Sequence, residues 1–313
     1  MPHFEHHHRT DAIRIVAPLD FSSWSIRALQ WIGAIAAGRK ATVIVVHAVD
    51  PSPAAELTDA AEVLVARAEE RALEACAALV ASGISIQTHC AVGAPWRIVR
   101  EAIDEHGADL MVLGSRGLSS VKRTLLGSSA DRILRAVPTP ALVVHATDAP
   151  REHLRVLIAT DFSADAEEAI RDFRRTFLPS SIRLEVRVLH ACLPPDLLEG
   201  VEVPVVERVD WANLEDEASA HAERVANEFR ADGIDTTVSI VRGGASRAIL
   251  AASRSWRADL IVLGRRGVSG FERLFLGSAA ERVQHGAECA VFTAQLAEKL
   301  EPVAHGSQPS FIA

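Results

Sequence analysis

Three glycines and a serine recur in register in two stretches of the chain. The first is GSRGLSSVKRTLLGSSA, Gly114–Ala130, and the second is GRRGVSGFERLFLGSAA, Gly264–Ala280. Both read G-x2-G-x9-G-S: Gly114, Gly117, Gly127 and Ser128, then Gly264, Gly267, Gly277 and Ser278. Each stretch follows a short apolar run and leads into a helical pattern. The first N–H groups of a helix have no partner within it, and its dipole favours an anion there. The serine hydroxyl adds a donor. Arg116, Lys122 and Arg123 bring cations to the first loop, and Arg265, Arg266 and Arg273 to the second. Gly114 and Gly117 are expected to supply positive φ and close approach of a bound molecule to the backbone. A polyanion such as a triphosphate, held by main-chain amides, explains why the glycines stay while the side chains drift. The competing reading is two capping boxes, Ser128-x-x-Asp131 and Ser278-x-x-Glu281.

A second paired feature is Asp20 and Asp161, each directly after the first strand of its half. A carboxylate there can accept from an adenine amino group or a ribose hydroxyl, or hold a divalent cation through water. Its structural alternative is an N-cap or Asx turn. No GxxxxGK[ST] loop or dinucleotide fingerprint is present. Nor is there a Ser-His-Asp spacing, or a carboxylate pair beside the loops, so no catalytic residue is assigned. ATP hydrolysis needs a positioned water and stabilised γ-phosphate charge, and only Asp20 and Asp161 offer to organise either. His47 and His190 close the second strand of each half and are read as structural. The HFEHHH run, His3–His8, is expected to be part of a flexible tail, and a metal site there is left undecided. Cys76, Cys90, Cys192 and Cys289 form no CxxC pair and are read as reduced, buried thiols.

These residues require elements to position them, and the repeat extends to those elements. IRIVAPLDFSSWSIRAL (Ile13–Leu29) parallels LRVLIATDFSADAEEAI (Leu154–Ile170), and GADLMVLGSRG (Gly107–Gly117) parallels RADLIVLGRRG (Arg257–Gly267). The chain is therefore a tandem duplication: domain 1 at 10–146, domain 2 at 153–297, and flexible tails at 1–9 and 298–313. In the first unit, strands are predicted at Ile13–Pro18, Thr42–Ala48, Ile84–Cys90, Leu110–Leu113 and Ala141–His145. Helices are predicted from Trp24, over Ala60–Ala81, over Pro95–Glu105 and over Ser128–Ala136. Strands apolar at every position indicate a parallel sheet covered on both faces, with ligands at the carboxyl ends beside strand 1. The longer connection Leu193–Asp210 of the second unit occupies a flap's position.

Composition narrows the function classes. The net charge of −8 divides as −2 over residues 1–150 and −6 over the remainder, so neither half has the basic field of a nucleic-acid binder. Without an apolar run of membrane length or a leader-like N-terminus, a cytoplasmic protein is expected.

At the first-strand Asp, the VHAV ending of strand 2 (Val46–Val49), the two G-x2-G-x9-G-S loops and PTPALVV (Pro138–Val144), the sequence resembles the nucleotide-binding branch of the universal stress protein family. The resemblance covers Ile13–Ala146 and Leu154–Ala294. It implies two tandem Rossmann-like (adenine nucleotide α-hydrolase-like) domains, each a five-stranded parallel sheet of order 3-2-1-4-5 with helices on both faces. It implies ATP with Mg2+ in each domain, and pairing of the two domains through their last strands, with a further homodimer left open. Carried over, the adenine side is Pro18, Leu19, Asp20 and Ala48, and the ribose and phosphate side is Leu113, Gly114, Arg116, Gly117, Gly127, Ser128 and Ser129. The second unit supplies Ala159, Thr160, Asp161, Ala191, Leu263, Gly264, Arg266, Gly267, Gly277, Ser278 and Ala279. Ala130 and Ala280 stand where many relatives carry a hydroxyl, and Ala279 replaces Ser129, so unequal affinities are expected. The implied function is an ATP-dependent stress-response regulator or sensor. The alternatives are a slow ATPase or autophosphorylating enzyme, or a binder of AMP or a cyclic nucleotide.

Overall fold

The structure, a computed structural model, describes residues 12–50, 58–117, 126–145, 150–192, 211–266 and 277–294. Both tails, the connection 193–210, Gly267, Lys122, Arg123 and Arg273 lie outside the described residues.

The first unit runs β1 (Ala12–Pro18), α1 (Ser23–Ala36), β2 (Lys40–Val49), α2 (Thr58–Ala75), α3 (Ala77–Ala81), β3 (Ser85–Val92), α4 (Pro95–His106), β4 (Leu110–Gly114), α5 (Ser128–Ala136) and β5 (Ala141–Val144). The second runs β6 (His153–Ala159), α6 (Ala164–Phe177), β7 (Arg183–Cys192), α7 (Trp211–Ala231), β8 (Asp235–Arg242), α8 (Ala245–Trp256), β9 (Leu260–Gly264), α9 (Ser278–Gly286) and β10 (Ala290–Ala294). The single helix expected over Ala60–Ala81 is two: Cys76, at φ −93° and ψ 3°, leaves the helical region and separates α2 from α3.

The duplicated α/β fold is built on one sheet, not two. Its order is β3-β2-β1-β4-β5-β10-β9-β6-β7-β8. Neighbours within each half are parallel, and β5 and β10 pair antiparallel with Leu142 opposite Phe292. The last strand of each unit would otherwise be an open edge, and mutual pairing satisfies both rows of amides. The ten strands thus form one mixed sheet, in which the two parallel halves are joined through their last strands, as the resemblance implied.

Residues alternate between two faces of this sheet. On one face Ile15, Val43, Val112, Leu142, Phe292, Val262 and Val156 belong to one continuous core that crosses from unit to unit. Phe292 is fully buried there, 6.1 Å from the ring of Phe173 and 6.2 Å from that of Phe177. On the other face the core divides in two, under α4 and α5 in the first unit and under α8 and α9 in the second. Among the described residues, no helix is long and apolar enough to cross a membrane.

Candidate functional site

Strand 1 of each unit has its two neighbours wound in opposite directions, β2 on one side and β4 on the other, with β7 and β9 flanking β6. A cleft opens at the carboxyl ends of these strands, where such sheets take ligands. Pro18, Leu19 and Asp20 leave β1 and stay tied to β2, since the Leu19 amide donates to the Val46 carbonyl at 2.8 Å. Ala48 closes β2, Leu113 and Gly114 end β4, and Arg116, Gly117 and Ser129 complete the wall. In the second unit Ala159, Thr160, Asp161, Ala191, Leu263, Gly264, Arg266, Gly277, Ser278 and Ala279 gather in the same way. Gly127 and Ser128, at the start of α5, are not among the residues that line the first cleft; α5 contributes Ser129, Ala130 and Ile133 to it. Sequence reasoning missed Pro95, Val99 and Ile133 in the first wall and Ala245 and Ile249 in the second. The apolar stripes of α4 and α8 were the available signal, and burial alone accounts for such stripes.

The helix starts test the capping-box reading of the serine. The N-cap of α5 is Gly127, at φ −65° and ψ 145°, and that of α9 is Gly277, at φ −60° and ψ 150°; neither helix has a side-chain cap. Ser128 and Ser278 are the first helical residues, so the capping-box reading is overturned. A glycine N-cap supplies no oxygen to the opening amides. The Gly127 amide is used by the Ser115 carbonyl at 2.8 Å, and the Gly277 amide by that of Arg265 at 2.7 Å. The next amides open the helices, each helix carrying about half a positive charge at that end.

The positive φ expected at Gly114 and Gly117 is not found. A Cβ on Gly114 would lie 2.7 Å from the carbonyl carbon of Trp24, and one on Gly264 would lie 2.7 Å from the Ala166 nitrogen. These glycines let α1 and α6 lie against the sheet. A Cβ on Gly117 would meet Asp20 Oδ2 at 2.7 Å.

Asp20, whose carboxylate was expected to meet a ligand, builds the Asx turn that was its structural alternative. Its Oδ1 accepts from the Ser22 amide at 3.0 Å and the Ser22 hydroxyl at 2.6 Å, and Ser22 Oγ accepts from the Ser25 amide at 3.2 Å to cap α1. Asp161, Ser163 and Ala166 repeat the relay at 3.1, 2.6 and 3.3 Å. Phe21 and Phe162, inside these turns, sit at φ 61° and 60°, a left-handed conformation uncommon for such residues. His47 Nδ1 lies 2.7 Å from the Leu19 carbonyl, and His190 Nδ1 lies 2.8 Å from that of Thr160. A carbonyl only accepts, so Nδ1 carries the proton in both rings.

The two clefts differ in charge and width. Arg266 is paired with Asp165, Nε to Oδ2 at 2.9 Å. Trp24 stands at the matching place in the first unit, and the Arg116 guanidinium lies 4.9 Å from its ring centre. Burial, and secondarily Arg116, holds the imidazole of His145 down at about 4. The first cleft encloses about 130 Å3 and the second about 410 Å3. Arg265, expected among the loop cations, is instead buried between the units. It donates to the carbonyls of Leu134, Val137 and Thr139 at the far end of α5.

A family model described as the universal stress protein family matches residues 13–145 and 153–294. The chain belongs to the universal stress protein family. A universal stress protein of Mycobacterium tuberculosis is 29% identical over 299 residues, 90% of this chain and 96% of the relative. One from Mycolicibacterium smegmatis is 26% identical over 288 residues, 87% and 94% of the two chains. The universal stress protein structure from Archaeoglobus fulgidus shares the fold, with TM-score 0.69 and 23% identity over 90% of this chain and 98% of that one. Another universal stress protein has been solved in complex with cAMP; it is 33% identical over 43% of this chain and 97% of its own, with TM-score 0.31.

Proposed function

We propose that this universal stress protein binds ATP in both clefts and acts as a stress-response regulator or sensor, through nucleotide-dependent conformation or partner choice. The observation that carries the reading is the pair of helix starts at Ser128 and Ser278, which begin on glycine and have no side-chain cap. An anionic oxygen supplies the acceptor that a serine or aspartate N-cap would have supplied. Leu19, Ala48, Leu113 and Val99 offer the first cleft an apolar wall suited to a base. Arg116 and Arg266 carry charge toward the phosphates.

The residues fit Mg2+ only as a companion of the polyphosphate. Among the described residues each cleft has one carboxylate at its wall, Asp20 or Asp161, and one oxygen of each already accepts two bonds from its own turn. Magnesium is commonly held by one or two carboxylates together with phosphates and water. Asp20 and Asp161 would steady such a cation through water, and the cation would neutralise phosphate charge. Binding, not turnover, is the function assigned. A cytoplasmic location is part of the same proposal.

Mass spectrometry of nucleotide released from the purified protein tests the reading. Up to two intact ATP per chain supports it. AMP or cAMP alone would reassign the ligand. Phosphate release at about 1 s⁻¹ or faster, the lower end of ordinary turnover, that is lost in Asp20→Ala would replace the regulator with an enzyme.

A further inference from the structure

Away from both clefts, two imidazoles and a carboxylate converge where α4 ends against the edge strand β3. His89 comes from the middle of β3, and Glu105 and His106 close α4. One donor atom from each lies within 4.8 Å of the other two. The Glu105 carboxylate stands 3.8 Å from His89 Nδ1 and 4.0 Å from His106 Nε2, beyond hydrogen-bond reach of both. The two rings meet edge to face at 6.0 Å. Three donors thus lie within 4.8 Å of one another without hydrogen-bonding one another. Both histidine side chains are about three-quarters buried, at 22% and 25% exposure, while Glu105 is open to solvent at 63%. The helix end that carries two of the donors is fixed: the Gly107 amide donates to the Ile103 carbonyl at 2.9 Å, and Arg14 Nη1 donates to the His106 carbonyl at 3.4 Å.

We propose that His89, Glu105 and His106 form a binding site for one divalent transition cation of the zinc class. Two nitrogens and one oxygen suit Zn2+, Co2+ or Ni2+, whereas Mg2+ and Ca2+ prefer oxygen alone. Tetrahedral coordination with bonds of 2.0–2.1 Å places donors about 3.3 Å apart, so the three side chains must close by roughly an ångström. Three protein donors leave a position for water, so the site is open and not a closed structural one. The bound ion ties the end of α4, whose other end walls the first cleft through Pro95 and Val99, to the outermost strand of the sheet. The second unit has Ser239, Ser255 and Trp256 at the matching positions, so the stoichiometry is one ion per chain.

The test uses the full chain with His3, His6, His7 and His8 replaced by Gln, which removes the N-terminal imidazoles as competitors. Titration with Co2+ alone is expected to give a visible tetrahedral-type spectrum that saturates at one equivalent, shows no thiolate charge-transfer band and is bleached by Zn2+. An outer hydrogen-bond partner of a metal ligand is worth about 10–100-fold in affinity, so His89→Ala and His106→Ala should each weaken Zn2+ binding by more than about tenfold. Glu105→Gln, at an exposed position, tests the third donor without risk to the fold. Zn2+ should also raise the melting temperature of the parent and leave that of His89→Ala unchanged. Absence of a saturable Co2+ spectrum overturns the proposal. So does a spectrum that survives His89→Ala and His106→Ala, or one that carries a cysteine band. Nucleotide binding is not a readout here, so the proposal stands or falls separately from the assignment of the clefts.

Discussion

Arg265 Nη2 in the second unit donates to the Thr139 carbonyl of the first at 2.7 Å. Nη1 of the same guanidinium reaches Leu134 and Val137, so one buried side chain caps the last turn of α5. A second link lies nearby: Arg135 Nη2, in that last turn, pairs with Glu281 Oε1 at 2.7 Å, in the opening turn of α9. The helix that faces the first cleft with its amino end is therefore held at its carboxyl end by residues flanking the second cleft. The bond runs one way, because Ser115 stands where the second unit has Arg265.

Arg265→Ala should destabilise the whole chain. It leaves three carbonyls of the inter-unit region without this donor, and an orphaned buried polar group costs about 1–3 kcal/mol. Urea unfolding is expected to show a loss of at least about 2 kcal/mol, with only partial recovery in Arg265→Lys, whose single ammonium cannot reproduce a planar fork. A loss below about 0.5 kcal/mol, the ordinary range for surface changes, would mean that the bridge contributes nothing. Phe292→Ala, in the shared core at the β5–β10 junction, should cost about 3–5 kcal/mol by the same assay.

Gly117→Ala and Gly114→Ala should separate binding from folding. The added Cβ at Gly117 meets the end of one side chain, Asp20. That variant is expected to melt within a few degrees of the parent and to lose nucleotide from the first cleft only, lowering ATP per chain from two toward one. At Gly114 the neighbours are the backbone of Trp24 and Ser25. Alanine there should lower the melting temperature markedly, because a helix and not a side chain must move. Equal effects of the two variants on melting would contradict these roles.

The pH dependence of stability should hide two opposed contributions. His145 has its pKa lowered to about 4 by burial first and Arg116 second, against an ordinary 6.5. Its unfolded form binds the proton more readily, so stability is full above about 6.5 and falls as the pH drops toward 4. Asp172 has its pKa raised to about 6, chiefly by burial, against 3.8. Its folded form binds the proton more readily, so stability rises as the pH drops from 6 to 4. Relative to the parent, Asp172→Asn should gain stability at pH 7 and lose that gain near pH 4. His145→Gln should gain near pH 4 and not at pH 7. Urea midpoints at pH 4, 5.5 and 7 provide the check, and parallel profiles for parent and variants would refute it.

Asp165→Asn should strengthen anion binding in the second cleft. Arg266 is matched by Asp165 there, whereas Trp24 brings no negative charge to Arg116. Removing the carboxylate charge is expected to tighten Mg-ATP about fivefold, roughly 1 kcal/mol, and to steepen the dependence on salt. Trp24→Asp in the first cleft should do the reverse. Isothermal titration at two salt concentrations checks both, and no change in either variant would remove Arg266 and Arg116 from the phosphate account.

Much of this was legible because the chain is written twice. The register of the glycines, the paired aspartates and the all-apolar strands located the clefts and the switch point. What was not legible lies where local sequence underdetermines contact. The pattern Ser128-x-x-Asp131 is locally a capping box, and only the backbone shows that Gly127 takes the N-cap. Gly114 signals freedom of φ as readily as it signals a neighbour at 2.7 Å. Phe21 gives no hint of its left-handed backbone, which the Asp20–Ser22 turn imposes. Arg265 reads as a loop cation, because nothing local shows that its partners are carbonyls more than 120 residues earlier. The merger of two sheets into one follows from the pairing of β5 with β10, which the resemblance implied but periodicity alone could not.

Backbone amide NMR of the 15N-labelled chain, titrated with Mg-ATP, tests the central claim most directly. The account predicts saturable shifts concentrated at Ser128, Ser129 and Ala130 in the first unit and at Ser278, Ala279 and Ala280 in the second, with adenosine alone leaving them in place. Saturation of binding without movement of these six amides would contradict it.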